Sequence, residues 1–307
     1  MASFRDRSIV SIRDMSLDDL KKIVQTTEKV KKGELEGFLK GRTVATLFFE
    51  PSTRTRLSFE SAVFKSGGSV FGIANPSASS QSKGESFADS IRTVSGYCDV
   101  MVIRHPVEGA ARMASELIDI PVINAGDGAN QHPTQTFLDL FTINEQFGRM
   151  NDLRIGMMGD LKYGRTVHSL THALAMFGNE LTFISPPTLR MPGQILQELD
   201  GLHIPYTTME NLEDARNSAL DILYVTRIQK ERFGDPQEYE KVAGTYRLTR
   251  ETIGLLGEEL RIMHPLPRVD EIAEEVDTTS NAIYFIQAHN GIPTRQALLG
   301  LVTGGLE

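Results

Sequence analysis

The chain has 307 residues, 40% of them hydrophobic and 23% charged, and it exceeds the ~250–300 residues at which a single core stops growing, so two domains are expected. Its formal net charge of −8 gives no global positive field for nucleic acid or anionic lipid, so any anion site must be local. One cysteine, Cys98, excludes an internal disulfide framework; with no apolar run near the ~20 residues of a membrane span and no signal-like stretch in MASFRDRSIV, a cytoplasmic protein is expected.

Ser16, with Asp19 three residues on, opens an amphipathic helix in which Leu17, Leu20, Ile23, Val24 and Val30 recur at helical spacing. The short apolar runs TVATLFF (43–49), SVFGIA (69–74), DVMVIR (99–104) and PVINAG (121–126) alternate with helix-like segments, which is the rhythm of a parallel sheet. TQTFLDLFTINEQFG predicts a helix over roughly 134–147. The strand pattern then restarts with LRIGMMGD, ELTFISP, DILYVTR, LRIMHPLP and AIYFIQA, which read as a second α/β layer, and a helix is expected over 294–302. The fold class is therefore α/β, in two domains, each with a mainly parallel sheet flanked by helices and joined through those two helices. No internal repeat, low-complexity tract or long flexible linker interrupts this pattern.

The ends of these strands carry the polar chemistry. In LFFEPSTRTRLSFE, a strand ending at Phe49, a turn at Pro51 and a helix beginning near Thr53 place Ser52 to Thr55 at a helix N-terminus. Unpaired N–H groups and the helix dipole attract anions there, and Arg54 and Arg56 add charge. Local features leave a second reading open, in which Ser52 or Thr53 is simply an N-cap and the arginines are solvated. DVMVIRHP ends in Arg104 and His105, and PVINAGDGANQHPTQ delivers His132 and Gln135 just before a helix. In the second half, Arg165 follows the Gly-rich turn of IGMMGDLKYGRTVHSL, Arg227 and Gln229 follow the strand in YVTRIQ, and Pro265 to Arg268 follow the strand in MHPLPR. Ligands of parallel sheets bind beyond the carboxyl ends of the strands. Arginine at each of these points predicts an interdomain cleft lined with guanidinium groups, suited to a substrate with phosphate and carboxylates.

Other features point away from ligands. His168 and His172 have a spacing that can hold zinc, but no acidic residue lies between them and no third ligand is evident, so no metal is expected. GMMGDLKYG lacks the full glycine fingerprint of a dinucleotide loop. Phe137, Leu138, Leu140 and Cys98 read as core. The Ser-rich NPSASSQSKGES reads on its own as a solvated loop. RIQKERFGDPQEYEKVAGTYR reads as a loop that closes Arg227 and Gln229 onto substrate, with a plain surface excursion as the alternative.

EPSTRTR, RHPVEGAAR, DGANQHPTQ, GDLKYGRTVHSL, TRIQKERF and HPLPRVDEI, in that order from residue 50 to residue 272, together resemble the carbamoyltransferase family in its aspartate-using branch. The likeness covers essentially the whole chain. It implies a carbamoyl phosphate-binding domain at 1–133, completed by a C-terminal helix at about 290–307, and an aspartate-binding domain at 134–289. It implies that Ser52, Thr53, Arg54 and Thr55 bind phosphate, helped by Arg104. Thr55, Arg104 and His132 would be the catalytic donors around the carbamoyl oxygen, and Gln135 would hold the carbamoyl amino group. Arg165 and Arg227 would grip the carboxylates of L-aspartate, with Gln229 alongside and the backbone carbonyls of Pro265 and Leu266 near the amine.

The implied reaction yields N-carbamoyl-L-aspartate and phosphate, the committed step of de novo pyrimidine biosynthesis, with no cofactor. The resemblance also implies a homotrimer with shared active sites, Ser79 and Lys83 entering the site of the adjacent subunit. Many relatives carry a basic residue immediately before that lysine, where this chain has Ser82. Glu50, Lys162, Tyr163, Arg232 and Glu238 match positions that link the domains or brace the 227–247 loop. The likeness of RHPVEGAAR to members that assemble with a separate regulatory chain implies docking to such a chain. Ornithine-using relatives typically have a cysteine in the loop where HPLP stands, and Pro265 occupies that site here. A silent relative that binds carbamoyl phosphate without turnover tends to lose site residues, and here every one considered is filled.

Overall fold

Runs rich in Val, Ile, Leu and Met form strands that can be buried on both faces, the environment of a parallel sheet. The structure, a computed structural model, describes residues 3–73, 84–229, 233, 235–240, 242 and 244–306. The chain falls into two compact units, one containing the residues up to Glu145 and those from Asn290 on, the other Gln146–His289.

In the first unit, β1 (Thr43–Phe48), β2 (Ser69–Ile73), β3 (Val100–His105) and β4 (Val122–Asp127) form a parallel sheet in the order β2-β1-β3-β4. Val44 pairs with Val70 on one side and Val100 on the other. The helices are α1 (Leu17–Lys31), α2 (Thr53–Lys65), α3 (Phe87–Ser95), α4 (Ala110–Leu117) and α5 (Pro133–Phe147). Ala45, Leu47, Met101 and Ile103 pack with Ile91, Ala111 and Ala114 of α3 and α4 into one core cluster. β2 is the more exposed edge, and Gly72 is needed there because a Cβ would lie 2.1 Å from the Thr46 carbonyl oxygen. The start of α1 matches the sequence expectation: Ser16 Oγ accepts from the Asp19 amide at 3.1 Å and Asp19 Oδ2 accepts from the Ser16 amide at 2.9 Å. Burial opposes charge on Asp19, but the Ser16 amide and hydroxyl together with Arg7 hold its carboxyl below the usual range.

In the second unit, β5 (Arg154–Met158), β6 (Glu180–Ile184), β7 (Tyr206–Met209), β8 (Ile222–Val225) and β9 (Arg261–Met263) form a parallel sheet in the order β7-β6-β5-β8-β9. The helices here are α6 (Arg165–Met176), α7 (Gly193–Gly201), α8 (Pro236–Glu240) and α9 (Arg250–Leu256). The last helix, α10 (Tyr284–Val302), begins in this unit, and the chain passes from one unit to the other within α5 and within α10.

One strand expectation is corrected. AIYFIQA is not a strand; all but its first two residues form the start of α10. Ile283, Tyr284, Gln287 and Asn290 are buried while Phe285, Ile286 and His289 are exposed, a helical face rather than the alternation of a strand. The fifth strand of that sheet is β7, an edge strand with little burial and hence no apolar run to announce it. Among the described residues, no helix is long and apolar enough to cross a membrane.

Candidate active site

In the first unit the candidate residues sit at the carboxyl ends of three adjacent strands. After β1 the chain turns through Glu50 and Pro51 into α2, whose N-cap is Ser52 in an extended conformation, φ −157° and ψ 92°. Ser52 makes no side-chain capping hydrogen bond, unlike Ser16 before α1, Ser86 before α3 and Thr249 before α9. Ser52 therefore occupies the N-cap position without capping through its side chain, and the amides of the first turn of α2 are left without a capping oxygen from Ser52. Thr53 and Arg54 are exposed and Thr55 is buried. The partial desolvation of Arg54 lowers its guanidinium pKa from the ordinary value. Arg56, by contrast, donates to Glu60 at 3.0 Å across one helical turn. The two arginines of TRTR thus do different things.

Arg104 lies in register with Phe48 of the neighbouring strand and is largely buried. Its Nε lies 3.3 Å from Glu50 Oε2 and its Nη1 donates to the Ala125 carbonyl at 3.3 Å. His105 stacks edge-on with Phe87 at 4.9 Å and tilts against Phe49 at 5.3 Å. Burial pushes its pKa down, and its Nδ1 accepts the Val107 amide at 3.0 Å. His105 thus serves the packing of the strand ends.

His132 is delivered by a loop that Asp127 organises. Asp127 Oδ1 accepts from Asn124 Nδ2 at 2.9 Å and from the Gln131 amide at 3.1 Å; Oδ2 accepts from the Gly109 amide at 2.7 Å and Asn130 Nδ2 at 3.0 Å. Gly128 allows the close approach, since a Cβ there would lie 2.6 Å from Glu108 Cγ. His132 is buried, with Nδ1 3.4 Å from Thr134 Oγ1. Gln135, also buried, donates from Nε2 to Asp139 Oδ1 at 2.8 Å. Sequence reasoning overlooked Asp127 and Asp139. The Asp-Gly turn after a strand was a usable signal for the first, whereas Asp139 lies inside an apolar run with no local mark.

In the second unit, Gly159 follows β5 with φ 113°, and a Cβ there would lie 2.2 Å from the Thr226 carbonyl. Asp160 accepts the Tyr163 amide at 2.9 Å, and Arg165 is the first residue of α6. Arg227 and Gln229 follow β8 and are both partly buried, and Thr226, Ile228, Tyr239, Tyr246 and Glu271 help line a small cavity beside them. Tyr163, Phe233 and Tyr239 form a chain of edge-on rings at 6.4 and 5.7 Å, with Lys162 Nζ 5.0 Å from the Tyr163 ring. Tyr163 thereby meets the 227–247 segment at Phe233, whereas Lys162 is placed against the Tyr163 ring.

Pro265 and Leu266 follow β9 and are held by a buried pair. His264 Nε2 lies 2.7 Å from Glu271 Oε1, while His264 Nδ1 accepts the Leu266 amide at 2.8 Å. Glu271 Oε2 also accepts the amides of Val269 and Asp270, at 3.0 and 3.1 Å. Burial acts to raise the Glu271 pKa, but His264 and the backbone amides of Glu271 and Val269 hold it below the usual range. Leu266 has φ 56°, a left-handed conformation that costs a non-glycine residue on the order of 1 kcal/mol or more and persists only where the surroundings impose it. Arg268 is engaged by Asp277, with Nη2 2.6 Å from Oδ2, so its charge serves the fold.

His168 Nε2 donates to the Leu161 carbonyl at 2.8 Å and His172 lies 2.8 Å from Glu198, so the two histidines at zinc-like spacing serve different partners. Among the described residues, no group of three or more His, Cys, Asp or Glu could hold a metal ion. Phe137, Leu138 and Leu140 are buried as expected, and Cys98 is half-buried against the first unit's core. Ser79, Ser82, Lys83 and Arg232 lie outside the described residues.

Residues 7–145 match the family model of the aspartate/ornithine carbamoyltransferase carbamoyl-P binding domain, and residues 151–302 match that of the Asp/Orn binding domain. The chain is 56% identical to the aspartate carbamoyltransferase catalytic subunit of Thermococcus onnurineus, covering 99% of each chain. It is 53% identical to that of Methanopyrus kandleri, covering 99% of this chain and 100% of the relative. Among solved structures, the catalytic subunit of M. jannaschii aspartate transcarbamoylase superposes with a TM-score of 0.89 at 49% identity, over 96% of this chain and 97% of that one. Trypanosoma cruzi aspartate transcarbamoylase, in complex with carbamoyl phosphate and aspartate, superposes with a TM-score of 0.91 at 36% identity, over 97% of both chains. With both family models matched in sequence order and relatives alike from end to end, the chain belongs to the aspartate/ornithine carbamoyltransferase family.

Proposed function

We propose that this protein transfers the carbamoyl group of carbamoyl phosphate to the amine of L-aspartate, giving N-carbamoyl-L-aspartate and phosphate, the committed step of de novo pyrimidine biosynthesis. The observation that carries this reading is the end-to-end likeness, at 53–56% identity, to catalytic subunits of aspartate carbamoyltransferase. The uncapped start of α2 after β1, Arg104 at the end of the neighbouring strand β3 and His132 in the loop after β4 support it.

In this reading the unit up to Glu145 and from Asn290 on serves carbamoyl phosphate and Gln146–His289 serves aspartate, the division lying within α5 and twelve residues beyond the 133/134 boundary expected from the sequence. Ser52, Thr53, Arg54 and Thr55 hold the phosphate with Arg104, using the amides and positive end of α2. Thr55, Arg104 and His132 donate to the carbamoyl oxygen as charge develops on it; one such donor contributes on the order of 3 kcal/mol. In this reading His132 donates as a neutral imidazole, its Nδ1 lying 3.4 Å from Thr134 Oγ1. The neutral amine of aspartate attacks the carbamoyl carbon, a tetrahedral intermediate forms, and the C–O bond to phosphate breaks. The departing phosphate accepts the amine proton, so no side-chain nucleophile or base is needed. Arg165 and Arg227 bind the two carboxylates in forked pairs, with Gln229 alongside, and the carbonyls of Pro265 and Leu266 accept from the amine.

The same reading makes the enzyme a cytoplasmic homotrimer with shared active sites, Ser79 and Lys83 acting in the neighbouring subunit, and with a surface for a separate regulatory chain. Mixing inactive Arg54→Ala and Lys83→Ala chains is expected to restore partial activity in hybrid trimers, and no recovery contradicts sharing. Activity itself is tested by phosphate release from carbamoyl phosphate with L-aspartate or L-ornithine as sole acceptor. Release with aspartate alone is expected; release with ornithine alone contradicts the acceptor assignment.

A further inference from the structure

Asp139 stands one turn beyond Gln135 on α5 and is fully buried, and it accepts the Gln135 Nε2 hydrogen bond at 2.8 Å. An ionised carboxylate accepts and cannot donate, so this contact decides which end of the Gln135 amide is which: the nitrogen faces Asp139 and the carbonyl Oε1 is turned away from it.

A buried carboxylate stays ionised only if its charge is balanced. Arg295 of α10, itself buried, supplies the balance. Burial pulls the Arg295 guanidinium down to about 10 while the charge of Asp139 acts to raise it, so it remains a cation at neutral pH. The guanidinium is seated firmly: Nη1 donates to Ser58 Oγ at 2.8 Å, and the group lies over the Phe59 ring at 5.0 Å. Gly291, one turn earlier, leaves its space, since a Cβ there would lie 2.2 Å from Arg295 Nη1.

Carbamoyl phosphate and acetyl phosphate differ by an amino group in place of a methyl group. An outward carbonyl accepts from the amino group and gains nothing from the methyl, whereas an outward NH₂ would set donor against donor. We infer that Asp139, balanced by Arg295, is a specificity-determining positioning residue: it holds Gln135 carbonyl-outward, so that the site selects an acyl phosphate bearing an amino group over one bearing a methyl. This inference rests on the proposed function, in which Gln135 meets the carbamoyl amino group.

Asp139→Asn tests it, because an asparagine can also donate to Gln135 Oε1 and so releases the amide to turn. The readout is the ratio of the inhibition constant for acetyl phosphate to the KM for carbamoyl phosphate. That ratio is expected to fall about tenfold, the scale of one hydrogen bond. Gln135→Met is expected to lower it similarly, and Asp139→Asn in the Gln135→Met background is expected to change it no further. A purely structural Asp139 would weaken the fold and depress rates while leaving the ratio at the parent value, which overturns the inference.

Should Asp139→Asn fail to fold, the parent chain supplies a second test by NMR. The Gln135 side-chain amide protons are expected to exchange slowly with solvent, with or without carbamoyl phosphate. Exchange at the rate of a free amide, or release of those protons on adding carbamoyl phosphate, overturns it. A parent chain that carbamoylates aspartate while Asp139→Asn keeps the ratio refutes this inference alone; a parent chain without that activity refutes the proposed function beneath it.

Discussion

His264 and Glu271 are hydrogen-bonded at 2.7 Å with both side chains buried, and the other ring nitrogen of His264 accepts the amide of Leu266 at 2.8 Å. The imidazole is thereby held as the tautomer protonated on Nε2, between a carboxylate and the loop that carries Pro265 and Leu266. Protonating Nδ1 would place two N–H groups face to face at Leu266.

This brace makes Glu271→Gln destabilising by about 2 kcal/mol at pH 7, because Oε2, which accepts two backbone amides, becomes a site that can hold an NH₂. The Glu271 pKa in the folded protein lies below the ordinary 4.5, so its ionised form stabilises the fold above pH 4.5 and that contribution fades as pH falls through the folded value. Denaturant unfolding of parent and variant is expected to show a gap at pH 7 that narrows below pH 4.5. The KM for aspartate is expected to rise together with the loss of stability at pH 7.

Ser52 and Ser16 are both N-cap serines, yet Ser16 makes a reciprocal capping box and Ser52 makes no side-chain cap. Ser16→Ala should cost about 1 kcal/mol of stability. Ser52→Ala should cost less than about 0.5 kcal/mol, and it should raise the KM for carbamoyl phosphate several-fold. Thermal unfolding of the two variants with steady-state kinetics checks the contrast; equal destabilisation would contradict it.

Arg54 and Arg56 differ in the same way. Arg56 is engaged with Glu60, a pair worth roughly 0.3–0.5 kcal/mol, so Arg56→Ala should be close to neutral for activity. Arg54→Ala should lower kcat about 100-fold or more, in the range seen when a transition-state donor is removed, with an unchanged melting temperature. Comparable losses in both variants would show that the two arginines had been wrongly distinguished.

Cys98 is half-buried, and burial pushes its thiol pKa up to about 11. The thiolate is the reactive form, so the native protein should react with a maleimide far more slowly at pH 7.5 than a small-molecule thiol does, and should speed up on unfolding. Rapid labelling of the folded chain would contradict the packing described for this residue.

Much of this was legible in the sequence because local rules act on local residues. Ser16 with Asp19 announced α1, alternating apolar runs announced the strands of both parallel sheets, and polar residues after β1, β3, β4 and β8 fell where strand ends were expected. The exceptions have physical causes. AIYFIQA is too short and too apolar for periodicity to separate strand from buried helix, and only the exposure of Phe285 and Ile286 reveals the helix. β7 is a half-exposed edge with nothing apolar to repeat. Asp139 with Arg295, and His264 with Glu271, could not be paired from the sequence, because the first pair lies on helices more than 150 residues apart and the second joins a strand end to a loop. Burial, which decides what such charges do, is a property of the folded chain.

Incubating the purified chain with 13C-labelled carbamoyl phosphate and equal amounts of L-aspartate and L-ornithine, and following the carbamoyl carbon by NMR, reads out both the transfer and its acceptor. The label is expected to move to N-carbamoyl-L-aspartate as phosphate appears, with no citrulline formed. Label in citrulline, or carbamoyl phosphate bound and unchanged, would contradict it.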